Sequence, residues 1–309
     1  MHTILGAGGA VANALTRELE NNNEIIRLVS RRPIVNNNKN VSWKKADLLN
    51  YAELLEAAKG STVIYLTAGL VYDKKIWAAQ WPVIMQNFIN LGKETGARLI
   101  FFDNVYMYGL VDGPMKEDTP YKPSSVKGSI RAKIANMLMD AAKAGTVRAS
   151  IARGADFYGT DNMFGFVDIM VLDKYAKKQK AQWIGTPNKL HNFSYTPDMG
   201  KGMFLLGQHP ESDNQIWHMP TAPAITGKQF IEMAARVYGV EPKYFAINKF
   251  MLWVYGLFQK VVMSVVEMYY QYDHDYIFNS DKFEKAFNFK PTSYEEGLKL
   301  MSETLYAKK

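Results

Sequence analysis

The stretch LGAGGAVANAL, Leu5 to Leu15, decides the fold. Gly6, Gly8 and Gly9 follow the apolar run HTIL and open an amphipathic segment from Ala10 to Asn22. Glycines between a strand and a helix, in the first turn of a βαβ unit, carry a mechanism. Gly6 permits a tight turn, and Gly8 and Gly9 let the backbone approach a pyrophosphate. Ala10 starts the helix, and Ala12 is small enough for close helix packing. The helix N-terminus offers free N–H groups and a positive dipole end to phosphate. Turn glycines with no ligand are the plainer alternative.

Working outward, short apolar runs alternate with helical stretches: EIIRLV before Asn50–Ala58, STVIYLT before Trp77–Thr95, RLIFF before Ser129–Ala144, then VRASIAR. This alternation belongs to parallel sheets covered on both faces. The expected fold is α/β, a Rossmann-type doubly wound parallel sheet over residues 1–155, with a smaller, interwoven C-terminal substrate lobe over 156–309. Part of 190–220 returns to the Rossmann core, where Thr196 is placed as an N-cap and Pro197 at the first helical position.

With 309 residues the chain can bury a full core, and without cysteine it has no disulfide, thiolate nucleophile or cysteine-ligated metal. Its five histidines are too scattered in sequence to suggest a metal site. The N-terminus lacks the basic region and long apolar run of a signal peptide, so the expected location is cytoplasmic. The segment Phe250–Tyr272 is apolar but interrupted by Gln259, Lys260, Glu267 and Gln271, which argues against a stable membrane span. A buried or lid helix is expected there, with an interfacial helix as the alternative. The formal charge of +7 is densest in DKYAKKQK, Asp173–Lys180. Those lysines do not interleave with stacking aromatics, so no nucleic acid partner is expected and a solvated helix face accounts for them.

The run EIIRLVSRRP ends where the adenosine ribose of a dinucleotide would lie. An acidic residue there receives the 2′-hydroxyl of NAD, whereas arginine accommodates a 2′-phosphate. Ser30, Arg31 and Arg32 stand there, which favours NADP over NAD. Asp47 and Leu48, in KADLLN, follow the next apolar segment. Asp47 suits the adenine amino group or a helix N-cap.

Taken together, LGAGGAVA, SRR, ADLLN, YLTAG, DNVYMYG, GSIRAK, RGADFYG and NFSYTPDMGKG resemble the extended short-chain dehydrogenase/reductases, in their NAD(P)-dependent epimerase/dehydratase branch, as an atypical member. The resemblance spans essentially the whole chain. It implies that Tyr65, Thr67, Ala68 and Gly69 line the ribose and pyrophosphate path, that Phe157 and Tyr158 approach the nicotinamide, and that the protein forms a homodimer. In typical members a catalytic serine lies five residues before the glycine of a Val-Tyr-Gly turn. A tyrosine follows about twenty-five residues later, with a lysine four beyond it. Counted from Gly109, those positions fall on Asn104, Ser129 and Lys133. The lysine is retained on this count, while the serine and tyrosine are replaced.

The missing phenol matters, because it is the general acid/base of hydride transfer and a nearby ammonium lowers its pKa from about 10. A serine hydroxyl is a far weaker acid. Tyr106, before Tyr108, is the candidate substitute; Asn104 and Ser129 would hold a carbonyl, and Lys133 would supply the cation and grip the nicotinamide ribose. Arg131 lies on the same helix and has no assigned role. The expected activity is an NADP-dependent epimerase, dehydratase or reductase acting on an alcohol or carbonyl of a small polar, sugar-like metabolite. The alternative is a non-catalytic NADP-binding sensor or scaffold that has lost the Tyr/Ser pair.

Overall fold

The computed structural model describes residues 1–159 and 165–306. Its centre is a seven-stranded sheet. In chain order the first five strands are β1 (His2–Leu5), β2 (Ile26–Ser30), β3 (Val41–Lys45), β4 (Val63–Leu66) and β5 (Arg98–Asp103). The strands Ala149–Arg153 and Ile216–His218 complete it, and the spatial order is 216–218, 149–153, β5, β4, β1, β2, β3. Every pairing in it is parallel.

The inner strands β4 and β5 are largely apolar on both faces, as a sheet covered twice requires, while the edge strand β3 exposes Ser42, Lys44 and Lys45. Ile64 and Leu66 point to one side, against α2 (Tyr51–Ala58), α3 (Lys74–Thr95) and α4 (Val126–Lys143). Val63 and Tyr65 point to the other, against α1 (Ala10–Asn21) and the helix Thr196–Gln208. That second helix is the element through which the chain returns to the sheet. It starts one residue earlier than its sequence suggests: Tyr195 is the cap residue, and Thr196 and Pro197 occupy the first turn. A separate apolar cluster around Tyr158, Trp183, Phe193 and Phe230 forms the smaller lobe.

Strand order reverses at β1, which pairs with β2 on one side and β4 on the other. A crevice therefore opens beyond the carboxyl ends of these strands, where doubly wound sheets take their ligands. The apolar segment Phe250–Tyr272 is broken into Lys249–Gly256, Lys260–Val266 and Tyr270–Asp273 rather than forming one helix. Among the described residues no helix is long and apolar enough to cross a membrane.

The last sheet strand is locked by His218. Its Nδ1–H donates to the Asn279 carbonyl at 2.8 Å and its Nε2 accepts from the Tyr108 hydroxyl at 2.8 Å, a pattern that only neutral imidazole satisfies. Burial first, and then the Arg153 charge, push its pKa down from 6.5 to about 3. The folded value lies below the unfolded one, so this contribution is complete above about pH 6.5 and is lost as pH falls toward 3. Stability should therefore drop by up to about 1.4 kcal/mol per pH unit across that window. Denaturant unfolding at a series of pH values should show a shallower slope for His218→Gln than for the parent.

Candidate active site

The glycine turn is shaped by contact with the loop after β4. Gly6 has φ +81°, and a Cβ there would stand 2.6 Å from the Ala68 Cα, so only glycine lets the two loops pass. Thr67 holds the same junction, its N–H and hydroxyl both donating to the Leu5 carbonyl at 3.0 and 3.2 Å. Gly8 is also left-handed, at φ +96°, while Gly9 caps α1 with open space around it and Ala10 is the first helical residue.

A cavity of about 620 Å³ lies on this turn. Gly6 and Gly9 line it from one side, Ala68 and Gly69 from the other. Ser30, Arg31 and Arg32 close the end beyond β2, with Asp47 and Leu48 beside them. Both arginines are exposed. The Ser30 hydroxyl donates to the Arg32 carbonyl at 2.6 Å and accepts from the Trp43 indole at 3.0 Å, which sets the path of this loop. Asp47 is not a helix cap: its carboxylate accepts from Leu49 N–H, and Asn50 caps α2. Gly8, Ala10 and Thr67 support the turn rather than line the cavity. The free N–H groups at the head of α1 and the close-approach glycines fit the pyrophosphate of a dinucleotide, and Arg31 and Arg32 stand at the far end of the cavity.

The sequence count on α4 is corrected by the structure. The helix begins at Val126, three residues before the expected start, because Ser125 accepts the Gly128 N–H at 3.0 Å and caps it. Ser129 and Lys133 lie on the exposed face, with Asn136 and Asp140, and neither lines a cavity described here. The Ser129 hydroxyl turns back onto the Ser125 carbonyl. The buried face carries Lys127, Arg131, Ile134 and Leu138. A four-residue spacing of polar groups facing the protein interior is thus present two residues earlier, in Lys127 and Arg131. Two residues turn a helix by about 200°, so this slip exchanges inside for outside. Sequence reasoning missed Lys127 and left Arg131 without a role, although Ile134 and Leu138 mark their face by helical periodicity.

Arg131 stacks over Trp81 with its guanidinium carbon 4.1 Å from the ring and donates to Asp103 Oδ1 at 3.1 Å. Asp103 is fully buried, and Arg153 approaches its other oxygen at 3.9 Å. Burial raises the Asp103 pKa, and the two guanidinium groups oppose that rise. Lys127 is wholly buried; its Nζ donates to the Ser264 carbonyl at 2.8 Å, pairs with Glu267 and lies 4.1 Å from the centre of the Tyr72 ring. Desolvation lowers its pKa, against the pull of Glu267.

The segment DNVYMYG separates the two tyrosines. Tyr108 is in the core, its hydroxyl held by Arg153 at 2.6 Å and by His218. Tyr106 lines a second cavity of about 1050 Å³, stacks on Trp77 and has its hydroxyl 3.5 Å from that of Tyr72. Burial raises the Tyr106 phenol, Asp156 adds to the rise, and Tyr72 and Arg131 oppose it. Asn104 does not line this cavity; its side-chain oxygen accepts the Tyr106 N–H at 3.1 Å and so shapes the turn. Phe157 lines the cavity, but Tyr158 is buried in the smaller lobe. Tyr65 is also a core residue, bonded to His2 at 3.1 Å, and does not line the cavity on the glycine turn as the resemblance implied. Asp156 reaches the cavity with one oxygen 3.1 Å from His191.

A parallel doubly wound sheet with a glycine turn at its reversal point is the architecture of dinucleotide-binding domains, and a cavity with a phenol and a carboxylate lies in the same chain. The chain belongs to the NAD dependent epimerase/dehydratase family, which it matches over residues 2–219. The activity class of that family is NAD(P)-dependent oxidoreduction and epimerisation. Among curated proteins none matches the sequence significantly.

Solved structures show the same fold at low identity. The dTDP-glucose 4,6-dehydratase DesIV of Streptomyces venezuelae, as a double mutant with NAD and DAU, is 14% identical, with TM-score 0.79 and coverage of 98% of this chain and 96% of that one. MoeE5 in complex with UDP-glucuronic acid and NAD is 18% identical, with TM-score 0.79 and coverage of 100% and 99%. The UDP-glucose 4-epimerase of Thermus thermophilus with NAD is 14% identical, with TM-score 0.79 and coverage of 98% of each chain.

The corrected helix face is testable by stability alone. Arg131→Ala leaves Asp103 short of a partner and should cost about 3–5 kcal/mol of unfolding free energy. Lys133→Ala, on the exposed face, should stay within about 0.5 kcal/mol of the parent in the same denaturant titration.

Proposed function

We propose that the chain is an NADP-dependent epimerase, dehydratase or reductase acting at an alcohol or carbonyl on a polar, sugar-like group. The observation that carries this reading is that one loop lines both cavities. Ala68, Gly69, Leu70 and Val71 line the first, and Tyr72, next in the chain, lines the second beside Tyr106.

The turn Gly6–Ala10 would hold the pyrophosphate on the head of α1, and Thr67, Ala68 and Gly69 would shape the ribose path. Arg31 and Arg32 would pair with the 2′-phosphate through charge-assisted hydrogen bonds, with Ser30 keeping their loop in place. Asp47 and Leu48 would flank the adenine. The bound nicotinamide supplies hydride acceptance and return.

Tyr106 is the proton carrier in this reading. Burial keeps its hydroxyl protonated, ready to donate to a substrate oxygen, while the buried Arg131 charge lowers the cost of the phenolate left behind. Asp156 faces the same space as a hydrogen-bond acceptor for a neighbouring hydroxyl. The compared structures hold NAD, and MoeE5 holds UDP-glucuronic acid as well; the NADP preference rests on Arg31 and Arg32, and the sugar-like group on that neighbour together with the polar cluster at Tyr106 and Asp156. A non-catalytic binding protein is the second reading, favoured by the commitment of Lys127 and Arg131 to ion pairs.

Two measurements test these assignments. NADPH should bind more tightly than NADH in fluorescence titration, and the double variant Arg31→Ala, Arg32→Ala should erase the difference. Tyr106→Phe should lower turnover of an accepted carbonyl substrate by roughly 10²–10⁴-fold while leaving NADPH affinity unchanged, the effect of losing a general acid. Unchanged turnover would remove Tyr106 from the mechanism. Bound NADPH with no turnover of any alcohol or carbonyl tried would support the binding protein.

A further inference from the structure

The second cavity is larger than a reacting carbonyl needs, and its walls change character along its length. Asp156, Tyr72, Tyr106 and Tyr272 cluster together, the Asp156 charge acting on all three phenols. The walls formed by Ile184, Ile247, Leu252, Val262, Val265 and Met268 are apolar, with Gln182 the polar exception. Among the described lining residues there is no lysine or arginine, and the one charged side chain is the carboxylate of Asp156. Among the described lining residues a diphosphate would meet no counterion and one like charge.

The rim continues the same chemistry into solvent. Phe250, Tyr255, Phe258 and Val261 line the cavity and are nevertheless exposed, Phe258 by 83%. Trp253 and Leu257, exposed beside them, extend the apolar surface. These side chains sit on Lys249–Gly256, on the turn after it and on Lys260–Val266, where Gly256 lets the two helices meet: a Cβ there would lie 3.0 Å from the Met263 backbone. The pairing of Lys127 with Glu267 ties this lid to α4.

We propose that the cavity binds an amphiphile, with an oxygenated head at Tyr106 and Asp156 and an unbranched hydrocarbon tail running between the lid helices toward Phe258. The proposal rests on the functional reading above, which places the reacting oxygen at Tyr106, and adds a long apolar tail to the polar group named there. Burial of each methylene lowers free energy in proportion to the apolar area removed from water, so affinity should rise with tail length until the tail emerges from the mouth.

The test is displacement of cavity-bound Nile red by n-alkanols from butanol to tetradecanol, with UDP-glucose as the nucleotide competitor. Affinity should rise about fourfold for each buried methylene. Val265→Glu, which places a carboxylate in the wall, should weaken dodecanol binding at least tenfold while NADPH titration confirms an intact fold. Phe258→Ser, on the exposed rim, should weaken only the longest alkanols. A flat chain-length series, displacement by UDP-glucose at lower concentration than dodecanol, or full dodecanol affinity in a folded Val265→Glu variant would each overturn the proposal. If NADPH fails to bind while the chain-length series holds, the functional reading fails and the amphiphile site stands. If NADPH binds and the series is flat, the amphiphile site alone fails.

Discussion

The buried carboxylate of Asp103 is the constraint on which the site depends. It ends β5 with no access to solvent, and a carboxylate so placed must be paired or the fold is heavily destabilised. Its partners come from different elements, Arg131 from α4 and Arg153 from the neighbouring strand. Arg153 donates in turn to the hydroxyls of Tyr108 and Tyr121, and Tyr108 to His218 on the outermost strand. One charge thus holds α4, three strands of the sheet and the turn carrying Tyr106 in a single arrangement. Gly128 completes it, since a Cβ there would stand 2.5 Å from the Tyr106 carbonyl.

The arrangement divides the work between two spaces of opposite character. At the reversal point of the sheet, glycines, a helix head and two exposed arginines offer an anion what it needs without burying a charge. In the smaller lobe the walls are aromatic and aliphatic, and polar groups are confined chiefly to the cluster where Tyr106 meets Asp156. The loop from Ala68 to Tyr72 joins them. The positive net charge of the chain therefore says nothing about the second cavity, whose described lining has no cation.

The lid shows how one composition serves two environments. Phe250–Tyr272 is apolar enough to attract a membrane reading, yet it folds as short helices whose inner faces line the cavity. Its polar interruptions have places in that structure: Glu267 meets the buried Lys127, and Gln271 is itself buried.

The sequence by itself determined the features that depend on neighbours in the chain. Alternating apolar runs specify a parallel sheet, and glycines between strand and helix specify a left-handed turn, because turn geometry and side-chain period act within a few residues. Arg31 and Arg32 were legible for the same reason, standing immediately after β2. What only the tertiary structure decided was which side chains face inward where segments distant in sequence meet. The helix start at Ser125 turned Ser129 and Lys133 outward and Lys127 and Arg131 inward. The separation of Tyr106 from Tyr108 came from His218 and Arg153, neither adjacent to them in the chain. A helix turns about 100° per residue, so a count that overshoots by two keeps the right element and selects the wrong face.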